Sequence, residues 1–372
     1  MANTTPKLTM FNAITGFREA MTFVGMAAED EETRVHLETY LDDESGLVYM
    51  RMTSENGIQV TVDATLKSEC MDSDAYVRLK DLYVICDKGV KEGILAMWTD
   101  GGRLYVGSSF NEQFEGFESE CSLPFTEPFD IDLSFDAQES FEFEQTAMAV
   151  VADSCFNFDV MEIVRNDGLV SFRTGNDRVT VATVMLDAGE KQGEPGRDFA
   201  IGMPIQVFNL LPIVVTAPMC KFDIDWDRGL IRSAGKTYSV TYKFWKGTLR
   251  SESTEGMKEY MKFDSENMMA TIDMIYGVNY KDPIAPVRLA PVDETTMGFE
   301  FSYGDRYSGI ITVPGVKVFD KEKSIVLPMD VSTMMVRSAG AKVLTMLYGE
   351  DGRLFLTFAN GKYARKCMYF GG

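Results

Sequence analysis

Residues 94–106 read Ile-Leu-Ala-Met-Trp-Thr-Asp-Gly-Gly-Arg-Leu-Tyr-Val, two strand-like segments joined by a glycine turn, which is the pattern of a β-hairpin. Two later segments, Cys220–Arg232 and Lys342–Leu356, have the same pattern. The leucines that follow the three glycine turns, Leu104, Leu230 and Leu354, lie 126 and 124 residues apart. A repeat of this length predicts three similar units along the chain.

The sequence ahead of each hairpin repeats as well. A helix-like stretch precedes each one, at Val77–Cys86, Ile201–Leu211 and Val326–Met335. Further upstream, three alternating segments predict half-buried strands, at Gly46–Thr53, Gly168–Thr174 and Thr296–Ser302. Before these come apolar residues at helical spacing, in Met10–Phe23, Glu144–Phe158 and Ser265–Tyr276. The unit is therefore helix, strands, helix, strands, three times over.

A chain of 372 residues is too long for one ordinary core. Pro, Ser, Glu and Gly cluster near Thr126–Asp132 and Ser251–Glu259, between the periodic segments. We therefore predict three tandem α+β domains, over residues 1–128, 129–253 and 254–372.

Composition narrows the function classes. Hydrophobic residues make up 45% and charged residues 25%, as in folded globular domains. No segment has the length of apolar sequence that a membrane span needs, and Met1–Lys7 lacks a signal-peptide pattern. Six scattered cysteines without a C-x-x-C motif indicate free thiols in a reducing cytoplasm rather than a zinc or redox site.

No motif indicates catalysis. The single histidine, His36, cannot build a typical metal site, and P-loop and dinucleotide-binding motifs are absent from the sequence. The segment Asp223–Gly229 resembles a calcium loop, but Arg228 precedes the glycine and Ala234 stands at the twelfth position. Strand alternation instead predicts Phe222, Ile224 and Trp226 on a buried face and the aspartates in water. We predict a protein without catalytic residues, metal or cofactor.

The order of these segments resembles the bacterial DNA polymerase III beta subunit, the DNA sliding clamp family, over nearly the full chain. The resemblance rests on the Phe11–Ala20 stretch, on Arg78–Cys86 with the following Gly-Arg-Leu-Tyr-Val strand, and on Thr174–Val179. It implies helices lining a ring and antiparallel sheets outside, in a head-to-tail homodimer. The implied function is a processivity factor that encircles double-stranded DNA without reading sequence and tethers DNA polymerase and other proteins. The implied partners include a clamp loader.

The resemblance also assigns a DNA-facing surface. The net charge is −21, which would repel DNA if it were spread evenly. The predicted lining carries seven bases: Arg18, Arg78, Lys80, Lys88, Lys91, Arg337 and Lys342. The same stretches carry eight acids, so the lining is near neutral: Glu19, Asp81, Asp87, Glu144, Asp153, Glu266, Asp273 and Asp330. Met203–Ala217 has no charge, and Pro212 within it is expected to kink or end a helix.

Two protein-binding surfaces follow from the same resemblance. The client-peptide pocket would be formed by Thr174, Arg178, Val179, Leu249, Met368, Tyr369 and Phe370. The dimer interface would bring Phe114 and Phe117 against Met274, Ile275 and Val278. Two alternatives stay open: a clamp-derived protein that binds replication or transcription proteins without encircling DNA, and a structural assembly protein. A carboxylate-dependent enzyme has the least support.

Overall fold

In the computed structural model, the described residues are 9–11, 14–28, 30–41, 48–63, 74–88, 94–109, 119–144, 151, 158–166, 169–185, 198–213, 219–235, 238–250, 253–279, 285–303, 307–328, 343–359 and 363–371. Strands dominate them. The helices are α1 (Ile14–Met26), α2 (Leu79–Lys88), α3 (Ile205–Ile213) and α4 (Ser265–Asn279). No helix bounded within these ranges is long and apolar enough to cross a membrane.

The strands of the first third are β1 (Thr9–Phe11), β2 (Arg34–Leu41), β3 (Val48–Ser54), β4 (Ile58–Asp63), β5 (Asp74–Arg78), β6 (Ile94–Asp100), β7 (Arg103–Ser109) and β8 (Ser119–Pro124). Those of the middle third are β9 (Glu139–Glu144), β10 (Val160–Asn166), β11 (Leu169–Gly175), β12 (Val179–Met185), β13 (Phe199–Pro204), β14 (Met219–Asp225), β15 (Leu230–Ala234), β16 (Tyr238–Lys243) and β17 (Trp245–Lys246). Those of the last third are β18 (Lys258–Asp264), β19 (Pro286–Pro291), β20 (Thr296–Tyr303), β21 (Tyr307–Pro314), β22 (Lys317–Val318), β23 (Ile325–Pro328), β24 (Val343–Tyr348), β25 (Leu354–Ala359) and β26 (Tyr363–Tyr369).

Strand pairing shows the threefold repeat directly. One type of four-stranded array has the order β5-β2-β3-β4, and it recurs as β13-β10-β11-β12 and as β23-β19-β20-β21. The second type runs in chain order as β1-β6-β7-β8, and recurs in β9-β14-β15-β16 and β18-β24-β25-β26. The repeated leucines are the first or second residues of the equivalent strands β7, β15 and β25, and the upstream alternating segments form β3, β11 and β20. The internal repeat predicted from the sequence is therefore present in the topology.

The chain forms two compact units. Unit one comprises Met1–Gln145 and Gln206–Phe244, and unit two comprises Thr146–Ile205 and Trp245–Gly372. In unit one, β4 and β16 join two four-stranded arrays into an eight-stranded sheet. In unit two, β12 and β26 join two arrays in the same way, and the short strands β17 and β22 extend that sheet to ten. The middle third thus contributes to both units. The domain boundaries predicted above are carried forward as a proposal.

Apolar side chains at helical spacing explain the best-defined helices. Phe17, Ala20 and Val24 of α1 are buried, and the helix packs against β3 and β4. Met268, Ile272 and Ile275 of α4 belong to the core of unit two. Asp264 precedes α4, and its Oδ1 accepts the N–H of Glu266 at 2.9 Å, so it caps the helix as an aspartate commonly does.

Several predicted helix bounds were wrong or incomplete. The stretch Met10–Phe23 opens with strand β1, and α1 begins only at Ile14. Val77–Cys86 divides between the end of β5 and α2. Ile201–Pro204 is likewise strand, and α3 spans Ile205–Ile213 with Pro212 inside it. Residues 214–218, which follow, lie outside the described part. Of Glu144–Phe158, Val151 is helical, and residues 145–150 and 152–157 lie outside the described part.

The alternation predicted around Asp223 fails at its end. Phe222 and Ile224 are buried as expected, but Asp225 is buried too and Trp226 is half-exposed. The strand ends at Asp225, where the chain turns, and the carboxylate accepts the N–H groups of Asp136 and Arg228 at 3.0 Å each. Burial alone would raise the pKa of Asp225, yet these bonds and the Arg228 guanidinium lower it on balance. The aspartate therefore organises a turn, as short polar side chains often do.

Candidate functional site

The turn between β11 and β12 is held by an asparagine. The Oδ1 atom of Asn176 accepts the N–H groups of Arg178 and Val179 at 2.9 Å each, and its own N–H donates to the carbonyl of Val179 at 2.9 Å. Such side-chain bonds are the reason that asparagine favours turns. They leave the Arg178 carbonyl free to accept the N–H of Phe370 at 3.0 Å. This bond ties the turn to the end of the last strand.

The segment Trp245–Arg250, which we call the strap, is fixed to the same sheet by a buried carboxylate. One oxygen of Glu162 accepts the N–H groups of Thr248 and Leu249, the latter at 2.8 Å. The N–H of Gly247 donates to the Ala200 carbonyl at 2.9 Å. A Cβ at residue 247 would lie 2.9 Å from Ala200 Cβ and from the Glu162 carboxyl carbon, so only glycine lets the strap approach this closely.

Sequence reasoning missed Glu162. Its side chain is 1% exposed, although it lies in a strand whose neighbours are apolar. The only signal in the sequence was an acidic residue among consecutive apolar ones, Met161 and Ile163. A charge in such a run indicates a buried, hydrogen-bonded group. The strap then places the Arg250 guanidinium 5.3 Å from the centre of the Phe370 ring.

The residues predicted for the client pocket differ in solvent exposure. Thr174, Val179, Met368 and Tyr369 are buried, and the Thr174 hydroxyl donates to the Val160 carbonyl at 2.7 Å. Val179 and Tyr369 belong to the core of unit two. Arg178, Leu249 and Phe370 keep part of their surface in solvent, as does Arg250. We call Arg178, Leu249 and Phe370, together with the neighbouring Arg250, the client surface. The first three belong to the predicted pocket, and their role in peptide binding stays a prediction.

The predicted DNA-facing bases fall in several environments. Arg18 is half-exposed on α1. Arg78 and Lys80 both form ion pairs with Glu32, Arg78 at 3.3 Å, and the bond from Lys80 lowers the pKa of that carboxyl. Lys88 ends α2, but its side chain is outside the described part, as are Lys91, Arg337 and Lys342 entirely. Glu32 thus offsets two of the predicted bases.

The residues predicted for the dimer interface are only partly described. Met274 on α4 is 60% exposed, while Ile275 is fully buried in the core of unit two. Val278 lies on α4 with its side chain outside the described part, and Phe114 and Phe117 also lie outside it. Of the two side chains of this set that the structure describes, Met274 is therefore the one that a partner can reach directly.

Within the described ranges, no group of three or more His, Cys, Asp and Glu residues is arranged to hold a metal ion. Two cysteines of this part of the chain, Cys220 and Cys367, are buried free thiols. Burial raises the pKa of the Cys220 and Cys367 thiols, so both are poor nucleophiles. The sole histidine stacks on Tyr76 with ring centres 4.2 Å apart and contacts Asp74.

Comparison with known proteins identifies the fold. No family model matches the sequence, and no curated protein matches it. A DNA polymerase sliding clamp from Pseudomonas aeruginosa superposes with a TM-score of 0.74 and 12% identity, over 98% of this chain and 99% of that one. The DNA polymerase III beta subunit of Thermotoga maritima gives 0.73 and 10%, over 97% and 98%. A protein of Eubacterium rectale described as a putative DNA polymerase III beta subunit gives 0.74 and 8%, over 98% and 99%.

These similarities cover nearly the whole of this chain and nearly the whole of each protein with which it is compared. The chain therefore has the sliding clamp fold, and the α+β class and the resemblance predicted from its sequence are confirmed. At such low identity the comparison establishes the fold alone.

Proposed function

We propose that this protein is a DNA sliding clamp: a non-catalytic ring of two chains that encircles duplex DNA and tethers a polymerase through short peptides. The sliding clamp fold and its threefold repeat support the proposal. A closed ring holds DNA by topology, so it needs neither base-specific contacts nor a strongly basic lining. Residues 1–128, 129–253 and 254–372 are the proposed domains, and the cytoplasm is the proposed location.

The single observation that carries the proposal is which edge strands of the sheets are paired and which are not. Twice within the chain, the last strand of a first-type array pairs with the last strand of a second-type array, as β4 with β16 and β12 with β26. The strands β21 and β8 are the third such pair. In the described chain each lies at the edge of its sheet and has no partner strand on that side. The β8 strand of a second copy can pair with β21 of the first, while β8 of the first copy pairs with β21 of the second. Repetition of one contact around a closed path gives a ring.

The exposed surface of β21 agrees with such a contact. Ile310 on this edge strand is 65% exposed. An apolar residue on an open edge strand invites pairing with another strand and is usually covered in a stable protein. Met274 on α4, which packs against β21, offers a second exposed apolar side chain near the same edge.

The proposed DNA contacts are sparse. With Arg78 and Lys80 paired to Glu32, phosphate contacts by the predicted lining are weak and salt-sensitive. The same pairing favours a second candidate function, a clamp-derived protein that binds replication or transcription proteins without encircling DNA. The two candidates differ in one property, since only a ring remains on a closed circle of DNA and leaves a linear end.

Substitution at the two edges of one sheet tests ring assembly. Ile310→Arg places a charge on β21, while Val326→Arg places it on β23, the opposite edge of the same sheet, where the side chain is 57% exposed. We expect the wild type and Val326→Arg to show twice the 41.7 kDa mass of one chain by light scattering, and Ile310→Arg to be monomeric. A monomeric wild type, or a dimer indifferent to Ile310→Arg, contradicts the proposed ring contact.

A further inference from the structure

Unit one contains a cavity of about 480 Å³ on the face of its eight-stranded sheet that points away from the core. Its floor crosses the sheet in register, from one strand to the next, through His36, Thr53, Gln59, Thr241 and Arg232. Its roof is the extended segment 129–135. We call this space the sheet-face cavity. Its volume lies in the range that holds small molecules, roughly 300–1,000 Å³.

The roof is held at both ends and alternates like a strand. The N–H of Thr126 donates to the Tyr76 carbonyl at 2.7 Å before it, and the N–H of Gln138 donates to the Ile224 carbonyl at 2.9 Å after it. Leu133 is buried and Ile131 half-buried, while Asp130 and Asp132 are exposed. The roof therefore turns its apolar side chains inward and its acids to solvent, and the cavity has a polar floor beneath an apolar lid.

Most charges around the cavity are already matched. Arg51 pairs with Glu38 at 3.1 Å, His36 contacts Asp74, and Asp132 lies 3.8 Å from Arg228. Asp223, directly across the strands from Arg232, instead pairs with Lys221 at 2.9 Å and accepts the hydroxyl of Ser140. The acids beside the cavity thus have cations of their own or face solvent.

Arg232 is the unmatched cation. In the described part of the chain its guanidinium has no carboxylate within ion-pair distance, and its recorded contact is the Phe135 ring, 5.7 Å from the guanidinium carbon. The Nε–H groups of Arg232 and Arg51 are both buried and meet no acceptor there. A buried donor without an acceptor is costly, and more so on a charged group. An anion in the cavity would give the Arg232 guanidinium the negatively charged partner that the described residues do not supply.

The rest of the floor offers hydrogen bonds. Thr61, Ser239 and Thr241 line the cavity, and their hydroxyls have no partner among the described residues. Gln59 donates to the Thr53 hydroxyl at 3.1 Å and keeps its carbonyl oxygen available. Hydroxyl and amide groups of this kind fit the hydroxyls of a ligand and orient it.

We propose that the sheet-face cavity binds a small hydroxylated anion, whose phosphate or carboxylate group pairs with Arg232 and Arg51 while its hydroxyls bond to the threonine and serine side chains. This site belongs to unit one and uses no residue of the client surface. The proposal therefore stands independently of the sliding-clamp function.

Titration calorimetry on the full-length protein tests the site. The probes are inorganic phosphate, ribose 5-phosphate as a hydroxylated phosphate, and tartrate as a hydroxylated carboxylate. We expect one of the two hydroxylated probes to bind at least tenfold more tightly than inorganic phosphate, and the tighter one identifies the anionic group. Arg232→Gln should weaken that binding at least tenfold, and Thr241→Val should weaken it less.

Lys243→Gln is the matched control, because it removes one positive charge from β16 outside the cavity lining. It should bind the probe as the wild type does, and unchanged melting temperatures exclude misfolding of the variants. If Arg232→Gln has lost stability, Arg232→Lys provides the comparison, since it keeps the charge and loses the Nε–H donor. Absence of binding by both hydroxylated probes, or equal binding by wild type and folded Arg232→Gln, overturns the proposal.

Discussion

The junction of β4 with β16 in unit one and that of β12 with β26 in unit two have the same backbone plan. Each is antiparallel, and each ends in a bond from the last strand to a turn: Lys243 N–H to the Gly57 carbonyl at 2.9 Å, and Phe370 N–H to the Arg178 carbonyl at 3.0 Å. The turn in unit one uses glycine at a φ of 89°, whereas the turn in unit two uses the asparagine side chain described above.

The side chains on the face away from the core differ sharply. In unit one this face carries Gln59, Thr241 and Arg232 beside a cavity. In unit two the strands place Met368 between Thr180 and Phe355, and all three are buried. Strand pairing and the inner core are therefore what the two units have in common, while the side chains of the opposite face differ.

The largest expected effect comes from placing a charge in the inner core of either unit. Val240→Asp on β16 and Val181→Asp on β12 each bury an unpaired charge, since both valines are 1% exposed or less. We expect each to lower the free energy of unfolding by roughly 4 kcal/mol or more. Urea unfolding followed by circular dichroism measures the loss. Val343→Asp, at a position 61% exposed, is the control and should change little. A large loss at only one junction would show that the two cores are not equivalent.

Removal of the strap anchor should have a smaller effect confined to unit two. Glu162→Ala leaves the N–H groups of Thr248 and Leu249 without their acceptor. We expect a loss of about 2 kcal/mol, the usual range for bonds to a charged group. Amide hydrogen exchange should accelerate at these two residues, and Glu259→Ala, which removes a half-exposed carboxylate of β18, should leave them protected. Unchanged exchange in Glu162→Ala would contradict the anchoring role.

Substitutions at the junction in unit two should lower the affinity for a client peptide by about tenfold, whereas a substitution at the junction in unit one should not. Arg178→Ala and deletion of residues 370–372 each remove part of the client surface. We expect each to weaken binding of the cognate polymerase peptide roughly tenfold or more, which corresponds to about 1.4 kcal/mol. Fluorescence anisotropy measures the affinity. Lys243→Ala alters the residue that takes the place of Phe370 in unit one and should bind as the wild type does. Wild-type affinity in both altered forms would place the client surface elsewhere.

The smallest effect concerns acid stability, where each unit has a carboxylate with a lowered pKa. Among the carboxylates with a lowered pKa we choose Asp225 in unit one and Asp320 in unit two, and Asp320 accepts the Tyr348 hydroxyl at 2.6 Å. A lowered folded pKa contributes stability above the unfolded value, near pH 3.9, and that stability disappears as pH falls through the folded value. Asp225→Asn and Asp320→Asn should each reduce stability at pH 7 by about 1 kcal/mol and flatten its decline below about pH 4. Urea unfolding at both pH values measures this, and a decline as steep as in wild type contradicts the assignment.

Sequence alone predicted the repeat because Leu104, Leu230 and Leu354 occupy one strand position three times. It placed the start of α4 correctly at Ser265 but misplaced other helix starts, since strands such as β5 run directly into helices and apolar residues then satisfy both periods. It grouped the residues around the junction in unit two but did not separate buried Val179 from half-exposed Phe370, because burial depends on which segment covers the sheet. Glu162 and Arg232 were not singled out from the sequence for the same reason, since their significance lies in contacts with the strap and with segment 129–135.

Retention on circular DNA tests the central claim most directly. The full-length protein is loaded by its clamp loader onto nicked circular plasmid and isolated by gel filtration, and half of the sample is then cut once with a restriction enzyme. A ring of two chains should stay with the circle through a second filtration and leave the linear DNA by sliding off its ends. Equal retention on both forms, or equal loss from both, would contradict encirclement and favour a protein that binds its partners without surrounding DNA.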